Sequence, residues 1–238
     1  MSRISFENYG KLVNECIDPT IISGRYLSQR EQERNILVDI INKLKINSHD
    51  TCLDIGCSVG NILIPLSFLV KFITGIDHPN CIEALKKRIN SDNINLIEGN
   101  FIDIDEEEIG KFDKILIYSV LHYLSDEQEV MFFIKKSLSL VNPGGKLLLG
   151  DLPNVSRKKR FINSEFGKEF DKNWKIQNID QSSGHFTKDH KNIIFNDALI
   201  LSIISKIRDM GHHAYILPQP SFLPCGYTRE DILIEILT

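Results

Sequence analysis

The chain predicts an α/β fold built on an open, mostly parallel sheet with helices on both faces. Short apolar runs recur at residues 53–55, 72–77, 94–98, 112–118 and 146–151, each closing on an acid, a glycine or a polar turn. Apolar residues at helical spacing lie between and around these runs, the alternation that a parallel sheet with crossover helices needs. No proline-rich or serine-rich linker divides the 238 residues, 42% of them hydrophobic, so one domain over 1–238 is the simplest account.

In chain order, Ile36, Leu37, Ile40, Ile41 and Leu44 predict one amphipathic helix over 30–44, ahead of the first strand. Leu53-Asp54-Ile55 is that strand, and Gly56-Cys57-Ser58-Val59-Gly60-Asn61 turns out of it. The second strand carries Phe72, Ile73 and Ile76 and ends at Asp77-His78. That acid follows the first glycine by about twenty residues, the spacing that sets a carboxylate against ribose hydroxyls. A third strand, Ile94 to Glu98, opens into Gly99-Asn100-Phe101, and a fourth, Phe112 to Tyr118, leads into Ser119-Val120-Leu121-His122. Ser125-x-x-Gln128 predicts a capping box for a helix reaching about residue 141. Asn142-Pro143-Gly144-Gly145 then predicts a turn before the fifth strand. Asn196 caps a helix with Leu199, Ile200, Ile203, Ile204 and Ile207 inward, ended by Gly211, and two strands follow near 214–217 and 232–236.

The turn after the first strand narrows the ligand. A dinucleotide site wants G-x-G-x-x-G so that backbone can approach a pyrophosphate, but Ser58 and Asn61 hold its second and third glycine places. Asp54, Gly56, Ser58 and Gly60 instead read D-x-G-x-[GST]-x-G. This resembles the first motif of class I S-adenosylmethionine-dependent methyltransferases, and the resemblance continues along most of the chain. It implies a Rossmann-like, seven-stranded sheet whose final strand inserts antiparallel between the fifth and sixth. It implies S-adenosylmethionine as cofactor, with Asp54, Gly56, Cys57, Ser58 and Gly60 around its methionine part, Asp77 on both ribose hydroxyls, and His78 beside it as a further cofactor contact. Asn100 stands where the family usually has an acid for the adenine amino group; its carbonyl oxygen can accept instead, and Phe101 can cover the ring. Tyr118 and Ser119 at the end of the fourth strand complete the set.

Segments outside that common core should carry the acceptor. An N-terminal arm, 1–29, holds Tyr9, Arg25 and Tyr26; Arg25 either binds the cofactor carboxylate as a bidentate fork or lies on the surface. An insertion or lid, 152–195, contains Arg157-Lys158-Lys159-Arg160, which either attracts an anionic acceptor or forms a solvated helix face. His122 is the candidate general base, with packing beside Tyr123 as the alternative; His185 and His190 are weaker candidates, and Asp151 can orient the acceptor. Cys57 reads as a small filler of the turn rather than a nucleophile.

Absences and charge limit the rest. The N/D/S-P-P-Y/F/W motif of nucleic-acid amino methyltransferases is replaced by Tyr118-Ser119-Val120-Leu121, and the formal net charge is -4, so nucleic acid is not the expected partner. The longest apolar run, 62–70, contains Pro65 and Ser67 and is far shorter than the ~20 residues that span a bilayer. Arg3, Glu7, Lys11 and Glu15 break up the N-terminus, and five cysteines form no C-x-x-C pair; a cytoplasmic protein without membrane association is expected. The acidic run 103–108 has no histidine or cysteine beside it, and no metal is expected. The expected activity is methyl transfer to an oxygen or nitrogen of a small molecule, with an anionic sugar or sugar nucleotide the first acceptor to consider. Faint similarity to surface-glycan methyltransferases at 151–161, 218–220 and 229–232 prompts that choice. A nucleotide-dependent oxidoreductase and a non-catalytic S-adenosylmethionine-binding regulator are the alternatives.

Overall fold

In the computed structural model, which describes residues 3–16, 18–178 and 192–237, the apolar runs line up as one seven-stranded sheet. The strands are β1 (Thr51–Ile55), β2 (Phe72–Asp77), β3 (Ile94–Glu98), β4 (Phe112–Tyr118), β5 (Val141–Pro153), β6 (His213–Pro218) and β7 (Arg229–Glu235), and the helices are α1 (Arg3–Glu15), α2 (Pro19–Ile22), α3 (Arg30–Glu33), α4 (Ile36–Leu44), α5 (Leu63–Ser67), α6 (Pro79–Lys86), α7 (Glu106–Ile109), α8 (Glu127–Ser139), α9 (Val155–Asn163), α10 (Glu165–Gln177) and α11 (Asp197–Asp209). Their order is β3-β2-β1-β4-β5-β7-β6. β1 to β5 pair in parallel, and β7 runs antiparallel to both β5 and β6, as the sequence led one to expect.

Alternation along the central strands builds two layers. Ile115, Ile117, Leu147 and Leu149 face α8 (Glu127–Ser139) and α11 (Asp197–Asp209), where Phe133, Ile134, Ile203 and Ile207 are fully buried. Leu116 and Leu148 point the other way, onto Ile36, Ile40 and Leu44 of α4 (Ile36–Leu44). Beside that layer, α5 (Leu63–Ser67) and α6 (Pro79–Lys86) bury Leu63, Leu66, Ile82 and Leu85 against Cys52 and Ile73. A strand buried on both faces leaves only its carboxyl end free to meet a ligand.

Three local expectations are corrected. The helix expected over 30–44 splits into Arg30–Glu33 and α4, because Glu33 is drawn to Ser23 (2.7 Å) and Asn61 (3.1 Å), which fixes the first turn separately. The cap of α8 is Asp126, not Ser125: the Glu129 amide donates to Asp126 Oδ1 (2.9 Å), and the Ser125 amide donates to Glu129 Oε2 (2.6 Å). Asn142-Pro143-Gly144-Gly145 is no separate turn but the irregular start of β5, where the register against β4 shifts and Asn142 Nδ2 donates to Asp113 Oδ1 (2.8 Å). No helix among the described residues is long and apolar enough to cross a membrane.

Candidate functional site

The strand order reverses between β1 and β4, the place where open α/β sheets bind ligands. There the carboxyl ends of β1, β2 and β4 frame a cavity of about 290 Å³, lined by Asp54, Gly56, Ser58, Asp77, Tyr118 and Ser119 with Cys57 at its side. Gly56 has a φ of 83°, and a Cβ there would run into Val120; only glycine lets the backbone pass so close to the fourth strand. Ser58 keeps a left-handed φ of 49° without being glycine, and its amide donates to Asp77 Oδ2 (2.7 Å). The amide of His78 donates to the other oxygen, Asp77 Oδ1 (2.6 Å).

Two carboxylates thus lie buried against one cavity. Burial, reinforced by the charge of Asp77, pushes the Asp54 carboxyl up to about 7. Burial also raises Asp77, against the pull of the His78 and Ser58 amides. Asp54 Oδ2 and Ser58 Oγ are buried without a hydrogen-bond partner, a costly state unless a ligand supplies one. Acceptors for hydroxyls and a cation, set around a glycine turn, fit a cofactor that carries a ribose and an α-amino group. Cys57 fills space between Gly75 and the turn, and burial raises its thiol, which suits a filler.

Other expected ligands sit elsewhere or are engaged. Gly60, with a φ of 85°, stands back from the cavity against Leu85 and Ile64. His78 caps α6, accepting from the Asn80 amide at Nδ1 (3.1 Å), and packs against Phe6 with the rings tilted by 51° at a separation of 4.8 Å. It faces α1 (Arg3–Glu15) rather than the cavity. Arg25 is neither on the surface nor free: its Nη2 donates to Asp151 Oδ2 (2.8 Å) and to Ser119 Oγ (2.9 Å). Asn100 and Phe101 line a cramped extension of about 20 Å³ on the far side of Gly56 and Asp77, where Phe6 also lies. His122 lines neither this cavity nor the larger one described next; burial first, then Arg229, lowers its imidazole to about 3. His185 and His190 lie outside the described residues.

A second cavity, about 640 Å³, adjoins the first at Arg25. Its walls come from residues 24–29 of the arm and Gln32 just after it, from α9 (Val155–Asn163) and α10 (Glu165–Gln177), and from the loop before β7. Between the two cavities lies a polar network that the sequence reading missed. Asp151 adopts a φ of 61° where the β5 register against β7 shifts. It accepts from Ser119 Oγ (2.5 Å) and Arg25, and its carbonyl accepts from Arg229 Nη1 (2.9 Å). Arg229 and Arg25 hold its carboxyl well below the usual range despite burial. Asp231 anchors this turn, accepting from the Asp151 amide (2.8 Å), Gln219 Nε2 (3.0 Å) and Lys43 Nζ (2.6 Å). The basic run divides: Arg157 bonds Glu230 and loop carbonyls, Arg160 pairs with Asp197, and Lys158 reaches the larger cavity.

Comparison with known proteins points to the same fold. Residues 53–149 match the family described as "Methyltransferase domain". The chain is 26% identical over 175 residues to the "Probable S-adenosyl-L-methionine-dependent methyltransferase TehB" of Haemophilus influenzae, a match covering 70% of this chain and 60% of that protein. The match therefore spans less than two thirds of that relative's length. The N-methyltransferase NodS of Bradyrhizobium japonicum in complex with S-adenosylhomocysteine superposes with a TM-score of 0.59 at 16% identity, over 96% of this chain and 97% of that one. The phosphoethanolamine N-methyltransferase 1 of Haemonchus contortus reaches a TM-score of 0.71 at 14% identity, over 99% and 49%. The magnesium protoporphyrin IX methyltransferase of Synechocystis with bound S-adenosylmethionine reaches 0.58 at 12% identity, over 98% and 92%. At such identities these structures speak for the fold alone.

Proposed function

We propose that this chain is a class I S-adenosylmethionine-dependent methyltransferase, residues 53–149 being similar to a methyltransferase domain, and that it methylates an oxygen or nitrogen of a small molecule. The observation that carries the reading is the pair of buried carboxylates, Asp54 and Asp77, on one cavity with the glycine turn between them. When bound, the cofactor supplies a methyl group on a sulfonium, already activated for displacement. The chain's part is to hold and to exclude water. Asp77 accepts the ribose hydroxyls, and its two amide bonds from Ser58 and His78 keep the carboxylate aimed. Asp54 and Ser58 offer their partnerless oxygens to the amino-acid end. Asn100 and Phe101 take the adenine.

The larger cavity is the acceptor side, divided from the cofactor side by Arg25. Alignment of the two can lower the barrier by about 7–11 kcal/mol without acid–base help. The acceptor is expected to be a small anion, because Arg25, Arg229 and Lys158 line its cavity against Glu169 and Asp171, three positive charges to two negative, with Arg25 and Arg229 at the end next to the cofactor side. Calorimetric titration with S-adenosylhomocysteine on the native chain and on Asp77→Asn tests the reading. Losing charge-assisted bonds worth about 1.5–3 kcal/mol should weaken binding about ten- to a hundredfold. Equal affinity for the variant, or binding of a nicotinamide cofactor instead, would sink it.

A further inference from the structure

The chemistry of the larger cavity narrows the acceptor further. On α10, Phe166, Phe170 and Trp174 recur every fourth residue and form a stripe along one face. A core would bury such a stripe, yet Phe166 and Phe170 are 56% and 39% exposed and line the cavity. Phe161 and Tyr227 stack in parallel at 4.7 Å and 4°, with Phe166 and Phe170 edge-on to Tyr227 at 5.5 and 5.2 Å. Tyr26 meets Trp174 edge to face at 5.0 Å. The rings brace one another and so present fixed faces.

Some of the polar groups of the cavity are spent on the protein. Ser28 Oγ bonds Asn178 Oδ1 (2.6 Å), Gln29 Nε2 donates to the Pro224 carbonyl (2.7 Å), Thr228 Oγ1 donates to the Cys225 carbonyl (3.2 Å), and Asp171 pairs with Lys175 (2.5 Å). Gln32, Glu169, Asn173 and Gln177 also line the cavity, so the choice between a planar ring and a polyhydroxylated one turns on the aromatic faces rather than on the polar groups. At the inner end, by contrast, two guanidiniums, Arg25 and Arg229, share the single carboxylate of Asp151, which leaves local positive charge beside the cofactor cavity.

We infer that this cavity takes a planar aromatic anion, a ring bearing a carboxylate or phenolate, as the acceptor. The inference rests on the methyltransferase reading above and replaces the sugar first suggested by the sequence. The ring lies among the stacked aromatic side chains, and the anionic group points inward to Arg25 and Arg229.

The test uses the full chain saturated with S-adenosylhomocysteine and titrated with 4-hydroxybenzoate, its uncharged methyl ester, and glucuronate. Calorimetry measures affinity, and emission from Trp174, the protein's one tryptophan, reports occupancy of the cavity. 4-Hydroxybenzoate should bind at least about tenfold tighter than either comparison compound and should change Trp174 emission. Phe170→Ala and Arg229→Gln should each weaken it about tenfold; Phe170 is exposed, so its variant carries the test even if Arg229→Gln fails to fold. Glucuronate binding as tightly as 4-hydroxybenzoate, or no detectable aromatic binding, overturns the inference. If S-adenosylhomocysteine itself does not bind, the methyltransferase reading has failed; if it binds and the aromatic preference is missing, only the acceptor assignment has.

Discussion

Asp54 is the residue whose charge most depends on what occupies the site. Its carboxyl, raised to about 7 by burial and by Asp77, is protonated in the empty protein at mildly acid pH and would ionise beside a bound ammonium. A carboxyl whose folded value exceeds its unfolded value of about 3.9 stabilises the fold fully below that lower value, and the contribution disappears as pH rises through about 7. The melting temperature of the empty protein should therefore fall between pH 4 and pH 7.5, and Asp54→Asn should flatten that slope. S-adenosylhomocysteine affinity of the native chain should rise across the same window; an affinity that falls with pH would contradict the assignment. His122 behaves in the opposite sense. Burial keeps its imidazole uncharged, and a base so weak is poorly matched to neutral pH. His122→Asn should leave kcat within about tenfold, whereas a loss of about 10² to 10⁴ would restore the base role that its position in the sequence suggested.

Helix α1 is the element that decides access. The extension lined by Asn100 and Phe101 has space for about one or two waters, far less than a purine. Phe6 narrows it, and α1 is held there by the Phe6–His78 contact, by Asn80 Nδ2 donating to the Gly10 carbonyl (2.9 Å), and by Tyr9 edge-on to Tyr123 at 5.6 Å. Gly10 must be glycine for this, because a Cβ there would strike the His78 ring. On the proposed placement of the cofactor, the adenine would enter only if α1 or the Phe6 ring moved. Phe6→Ala should speed cofactor association several-fold in stopped-flow binding while leaving the acceptor cavity unchanged; an unaltered association rate would mean that the arm already opens freely. This explains why His78 stands apart from the cavity although its place in the sequence suggests a cofactor contact. Its place after the second strand matches that of a cofactor contact, but what the ring faces depends on a helix about seventy residues earlier, whose docking no local pattern encodes. The elements set by periodicity and by single residues, such as the Asn196 cap of α11 with its bond from the Leu199 amide (2.9 Å), were legible without the structure.

At the scale of the molecule, sheet order was legible because each strand end carries its own punctuation, whereas the connection between the two cavities was not. Asp151 and Ser119 hold left-handed φ values of 61° and 60°, and the residues that require this, Arg25, Arg229, Gln219 and Asp231, come from the two ends of the chain. Long-range convergence of that kind leaves no spacing to read. Its consequence is that residues 23–29 serve both cavities: Ser23 and Arg25 line the proposed cofactor side, while Arg25, Tyr26, Ser28 and Gln29 line the proposed acceptor side. A ligand that orders this short stretch in one cavity has already met part of the ordering cost for the other. Cofactor and acceptor binding should therefore be positively coupled, and by linkage each must raise the other's affinity by the same factor, expected at about fivefold or more. Calorimetry in both orders of addition measures the two factors independently. Arg25→Gln should bring both close to one and should also lower the melting temperature, because Asp151 would lose a buried cationic partner. Coupling that survives this substitution would place the communication in α1 instead, and the Phe6→Ala protein, measured the same way, would then be the one to lose it.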